Sequence, residues 1–81
     1  MFQVSKEKQM RVRWETASRY YEAYLGRDLF DGWVLTLVHG GKNNRLGSLK
    51  TTHVEDEADG HRRIEDLDKR RVKRGYLRVS G

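Results

Sequence analysis

From Met10 to Thr16 apolar and charged residues alternate without a break. Met10, Val12, Trp14 and Thr16 fall in one set of positions, and Arg11, Arg13 and Glu15 fall in the other. A period of two belongs to a β-strand with one buried and one wet face. The next run, Arg19 to Leu25, reads Tyr20-Tyr21-Glu22-Ala23-Tyr24-Leu25 and is rich in the aromatic residues that strands favour. A third run, Trp33 to Val38, is apolar in both sets of positions and predicts a central strand. Between the second and third runs, Asp31-Gly32 signals a hairpin, because a tight turn needs positive φ. The pattern allows a two-residue loop or a longer one beginning near Gly26. The Gly40-Gly41-Lys42-Asn43-Asn44-Arg45 stretch, followed by Gly47, predicts a turn into a fourth strand around Leu46–His53.

After Thr52 the period changes. Thr52-x-x-Glu55 fits a capping box, and Ala58, His61, Ile64, Leu67 and Val72 then fall on one side of a helical wheel together with Arg71. Acids Glu55, Asp56, Glu57 and Asp59 occupy the first turns, and Lys69, Arg70, Arg71, Lys73 and Arg74 the last, which complements the helix dipole. Gly75 follows as a C-terminal cap, whereas Gly60 within the helix reads as a defect costing about 1 kcal/mol. Tyr76-Leu77-Arg78-Val79 is expected to dock as a short last strand or tail. Strands followed by a helix define an α+β domain: an antiparallel meander of four to five strands with one α-helix packed on it.

The 81 residues suffice for a single small domain, expected over residues 10–81 behind a flexible polar arm at 1–9. Hydrophobic and charged residues each make up 36% of the chain, and no apolar run approaches the roughly 20 residues of a membrane span. The opening residues lack the apolar stretch of a secretory signal, so a soluble, cytoplasmic domain without a membrane partner is expected. The absence of cysteine excludes disulfides, Cys-based zinc sites and thiol catalysis.

Lys and Arg together number 17 against 12 Asp and Glu, a net charge of +5, and eleven of the bases are Arg, whose planar fork suits phosphate. The excess lies in the second half: residues 1–41 carry six bases and five acids, residues 42–81 eleven and seven. Such a field attracts a polyanion, nucleic acid above all, although basicity also serves solubility.

Catalytic constellations are lacking. His53, Glu57 and His61 have i, i+4, i+8 spacing, but His53 lies near the expected cap, out of line with the other two, so no metal or other cofactor is expected. Glu65, Asp66 and Asp68 read as a solvated face, and no serine sits in a nucleophile motif. A phosphate loop would need Gly at Thr36 and Ser or Thr at Asn43. What remains is a glycine turn flanked by Lys42 and Arg45, either an ordinary β-turn or a cradle for one phosphate. Residues 69–78 hold six bases and no acid; they complete the helix dipole and also offer phosphate contacts. Tyr20, Tyr21, Tyr24 and Trp33 can stack on bases, but at strand spacing they read first as core.

Taken together, Arg19-Tyr20-Tyr21-Glu22-Ala23-Tyr24-Leu25, then Asp28-Leu29-Phe30-x-Gly32-Trp33-Val34-Leu35, a strand ending at Gly40, and a helix closing on Lys73-Arg74-Gly75-Tyr76 resemble the WGR domain family over about Arg11–Arg78. The resemblance implies an antiparallel sheet with one helix and a nucleic-acid-binding role, of the kind the module plays at DNA ends in DNA-dependent poly(ADP-ribose) polymerases. It also occurs alone in short bacterial proteins. Where that family has Trp-Gly-Arg, this chain has His39-Gly40-Gly41. His39 keeps a planar ring, Gly41 keeps only backbone, and Lys42 or Arg45 would have to supply the charge.

The expectation is therefore a non-enzymatic module that binds DNA, or less readily RNA, through phosphates. His39, Gly40, Gly41, Lys42, Arg45 and Lys50 around the glycine turn, with Arg71 and Arg74 at the helix end, are its candidate contacts. The alternative is an adaptor that docks an acidic protein partner at a sheet edge or at the basic helix end.

Overall fold

The computed structural model describes residues 10–43 and 47–80. It forms a five-stranded antiparallel sheet with one helix packed on it. The strands are β1 (Met10–Glu15), β2 (Arg19–Arg27), β3 (Trp33–Gly41) and β4 (Gly47–Val54); α1 (Glu57–Lys73) and β5 (Leu77–Ser80) follow. The first four strands form the expected meander. After the helix crosses the sheet, β5 returns beside β1, giving the spatial order β4-β3-β2-β1-β5. The middle strand is thus β2, and β3, apolar on both faces, is an interior neighbour. The arm expected at 1–9 lies outside the described residues.

The core fills the space between sheet and helix. Val12 and Trp14 of β1, Ala23 and Leu25 of β2, Leu35 of β3, Val54 of β4, and Ile64 and Leu67 of α1 are buried. Met10, Tyr21, Trp33, Leu37 and Tyr76 pack around them. The alternation read at 10–16 therefore has the buried set facing the helix. Trp14 is wholly buried, and its indole Nε1 donates to Asp68 Oδ1 of the helix at 2.8 Å. Asp68 is thus no solvated acid; it satisfies the one polar atom of the core's largest side chain.

Both ends of the helix differ in detail from the sequence pattern. The strand runs on through Val54, so Thr52 cannot cap; the N-cap is Asp56, whose carboxylate accepts from the Asp59 N–H at 2.8 Å. Asp59 in turn accepts from the Glu55 N–H at 3.1 Å and pairs with Arg62 and Arg63. These contacts hold its carboxyl below the ordinary carboxylate range, the backbone N–H of Glu55 most of all. Ala58 and Val72, expected on the core side, are exposed because the buried stripe runs through Asp59, Gly60, Ile64 and Leu67. Gly60 is no defect. A Cβ at this position would lie 2.3 Å from Leu25 Cδ1 and 2.8 Å from Cδ2, so the missing side chain is what lets α1 approach β2.

The β2–β3 connection spans residues 28–32, longer than a two-residue hairpin. The left-handed residue is Asp31 (φ 70°). Asp28 organises the loop: its Oδ1 accepts from Phe30 N and Gly32 N at 2.9 and 2.8 Å.

Among the described residues no layer covers the face of the sheet away from α1, and over β1 and β2 that face carries a chain of charges. Glu22, buried there, accepts from Arg13 at 2.6 Å, Arg11 at 3.4 Å and the Tyr24 hydroxyl. Arg13 also reaches Glu15 at 2.6 Å, and Lys42 reaches Glu15 at 2.7 Å. Burial alone would raise the Glu22 carboxyl, but Tyr24 and the arginines outweigh it and hold it below the usual range. Lys42 and Arg13 lower Glu15 in the same direction.

Two predictions follow from this packing. Gly60→Ala gains helix propensity worth about 1 kcal/mol but overpacks Leu25, with a net destabilisation of roughly 1–2 kcal/mol in urea unfolding. Because Glu15, Glu22, Asp28 and Asp59 all have lowered folded-state values, their stabilisation is complete above the unfolded carboxylate range and disappears as pH falls through the folded values. Melting temperature should hold steady above about pH 5 and drop below about pH 4, with a shallower drop in Glu22→Gln.

Candidate functional site

Three segments meet at one end of the sheet. The β1–β2 turn is tied by Thr16, whose Oγ1 accepts from the Ser18 and Arg19 N–H groups at 3.3 and 3.0 Å. The end of β3 is fastened to that turn by Lys42 N donating to Ser18 O at 2.8 Å. The helix ends in a Schellman arrangement: Gly75, at φ 93°, donates to Val72 O, and Tyr76 N donates back to Arg71 O at 2.9 Å. This reversal returns Tyr76 over the last turn, beside the Arg71 guanidinium, which lies 5.3 Å from the Tyr76 ring centre.

Aromatic rings and arginines layer where the segments meet. Trp14 meets Tyr21 edge-on, with ring centres 6.0 Å apart. Tyr21 lies parallel to His39, its cross-strand partner, at 5.2 Å and 9°. The Arg71 guanidinium sits 4.6 Å from the Tyr21 ring centre, and its Nε is shielded from solvent with no hydrogen-bond acceptor among the described residues. A cleft of about 460 Å³ opens over this stack, walled by Tyr21, His39, Arg71, Arg74, Arg19 and Tyr76. It continues into a second hollow of about 350 Å³ that includes Gly40, Gly41 and Asn43.

Of the residues singled out in the sequence, His39, Gly40, Gly41, Arg71 and Arg74 therefore come together at this end. Lys42 does not join them: its ammonium is bound to Glu15 on the other face of the sheet. Lys50 lies in a separate groove of about 200 Å³ between β4 and α1, with Arg63, Asp66 and Arg70. Arg45 lies outside the described residues. The suggested His53–Glu57–His61 alignment is absent, since His61 contacts Glu57 at 3.4 Å while His53 turns to Asp28 at 3.2 Å. No cluster of metal-ligating side chains occurs among the described residues.

Ion pairs divide the described cations, and those without a carboxylate within 4.0 Å include Lys50, Lys69, Arg70 and Lys73 outside this cleft. Arg11, Arg13, Arg27, Lys42, Arg62 and Arg63 each lie on a carboxylate. Arg19, Arg71 and Arg74 have none within 4.0 Å among the described residues. Sequence reasoning missed Arg19 and Tyr76 as site residues, yet both were recoverable. A loop at 28–32 obliges Arg19 to pair with Gly41, and a Gly75 cap sends the next residue back along the helix. Tyr20 and Tyr24 face the charged side of the sheet, with Arg13 and Arg11 over their rings.

No family model matches the chain, and neither a curated protein nor a solved structure matches it.

Arg71 combines packing with charge, and Arg71→Met separates the two. Losing two ring contacts of a guanidinium should cost about 1 kcal/mol in thermal unfolding while the fold is kept.

Proposed function

We propose that this protein is a non-enzymatic nucleic-acid-binding module, with DNA as the favoured ligand, that engages the phosphate backbone through the cleft at the end of β2, β3 and α1. The reading rests on one observation above the rest: three arginines without carboxylate partners surround a stacked His39–Tyr21 pair. Guanidinium forks suit phosphate oxygens, and an aromatic surface beside them suits a sugar or base. The likeness of the sequence to WGR domains points the same way. His39 takes the place of that family's stacking Trp, and Arg19, Arg71 and Arg74 supply the charge that Gly41 lacks.

The contacts are redistributed relative to the sequence expectation. Lys42 and Lys50 drop out, one neutralised by Glu15 and the other in a different groove. Arg19 enters, and Arg71 and Arg74 remain. Phosphate contacts of this kind position a backbone without reading bases, so little sequence preference accompanies them.

Fluorescence anisotropy with labelled blunt, nicked and single-stranded DNA, and with RNA, tests the proposal. Three neutralised phosphates give a slope of log affinity against log salt of about −3, and Arg74→Ala should reduce its magnitude by about one. No saturable binding to any of these at low salt, or equal binding to polyglutamate, would overturn the reading. The second result would point to an acidic protein ligand.

A further inference from the structure

The groove between β4 and α1 that holds Lys50 stands in line with the cleft. On β3, Leu35, Leu37 and His39 alternate along the face towards the helix. Leu35 belongs to the core, Leu37 packs against it, and His39 stacks on Tyr21 at the cleft. On α1, Arg70 lines the groove, while Arg71 and Arg74, one position and one turn further along, line the cleft. The register sets Lys50 opposite Leu37 and Ser48 opposite His39, so β4 flanks the same stretch of β3. From Leu35 to His39 the strand covers about 13 Å, and the groove adjoins the cleft along it.

The groove has an apolar floor of Leu35, Leu37 and Leu67 between cationic walls. Lys50 and Arg70 have no carboxylate within 4.0 Å among the described residues. One turn from Arg70, on the side away from the cleft, stands Asp66, and past it Arg63 is held by Asp59 at 3.3 Å. The unpaired charge that α1 brings to the groove therefore lies at the cleft end, where it extends the run of Arg71 and Arg74. In a duplex the faces of the bases are hidden in the stack, and only phosphates, sugars and base edges are offered. An apolar floor between cations gains from exposed base faces, which an unpaired strand presents. Size agrees: about 200 Å³ has room for one base or sugar and not for a base pair.

We propose, resting on the reading of the cleft as a nucleic-acid site, that groove and cleft form one track for a single strand. Its phosphates lie on Arg74, Arg70 and Lys50, and its unstacked bases lie over His39 and Leu37. An acidic peptide would also meet Lys50 and Arg70, but the His39–Tyr21 stack in line with them favours nucleotides. A duplex reaches the cleft alone, so Lys50 and Arg70 distinguish the two forms of ligand.

Fluorescence anisotropy with labelled oligothymidylate and oligouridylate of about 8 nucleotides, and with a blunt duplex of about 12 base pairs, tests this. Five neutralised phosphates on a single strand give a slope of log affinity against log salt of about −3.5. The double variant Lys50→Gln/Arg70→Gln should bring it to about −2 and weaken single-strand binding about tenfold or more. Its duplex affinity should change less than about threefold, with unchanged circular dichroism and melting temperature. Whichever of the two single strands binds more tightly identifies the sugar. Single-strand binding that the double variant leaves intact overturns the track, as does an equal loss on the duplex. Displacement of the strand by polyglutamate as readily as by unlabelled oligothymidylate overturns it as well. If Arg74→Ala still weakens DNA binding in the first two cases, the cleft remains a nucleic-acid site; absence of binding to every probe removes both readings.

Discussion

The burial of Trp14 is the constraint on which the rest depends. A wholly buried indole brings a large apolar gain but also an N–H that must find an acceptor. Asp68 supplies it from the helix, at 54 residues' separation, and so fixes both the rotation and the axial position of α1 over β1. The edge of the same indole meets Tyr21, and Tyr21 is the ring on which His39 and Arg71 lie. Core and cleft are therefore one continuous stack. The rings that would face a ligand are held by side chains that cannot move without opening the core.

A sheet with a helix on only one side must still close its other face. Here charge takes the place of a second layer over β1 and β2. Glu22, sunk among Arg11, Arg13 and Tyr24, continues through Arg13 and Glu15 to Lys42, so the open face over β1 and β2 carries a linked set of ion pairs. Five charged side chains, Arg11, Arg13, Glu15, Glu22 and Lys42, make up this network. Carboxylates on the open face, in the loop and at the start of the helix hold Arg11, Arg13, Lys42, Arg27, Arg62 and Arg63, whereas the cleft arginines, like Lys50, Lys69, Arg70 and Lys73, have none within 4.0 Å among the described residues. Net charge alone does not reveal this separation of structural from unpaired cations.

Gly60 and the Asp28 loop illustrate how a local signal can be read correctly and understood wrongly. Glycine within a helix is unfavourable by propensity, yet this one marks the closest approach of helix to sheet. Asp31-Gly32 did announce a hairpin, but the turn is organised by Asp28, three residues earlier, because its carboxylate satisfies two backbone donors at once. Thr52-x-x-Glu55 had the form of a cap, but pairing of β4 with β3 extends the strand past it, and Asp56 takes over where the ladder ends.

The order of elements, the antiparallel meander, the buried set at Val12 and Trp14, and the position of the helix were all legible in the chain, because hydrophobic period and turn chemistry are local properties. So were His39, Gly40, Gly41, Arg71 and Arg74 as members of a candidate site. What the chain by itself could not disclose is which cations have partners. Lys42 and Arg74 look alike in sequence; the fold lays one against Glu15 and leaves the other beside a cleft. Tertiary structure decided that, since an ion pair depends on the distance between side chains from distant segments, and that distance is set only when sheet register and helix rotation are fixed together.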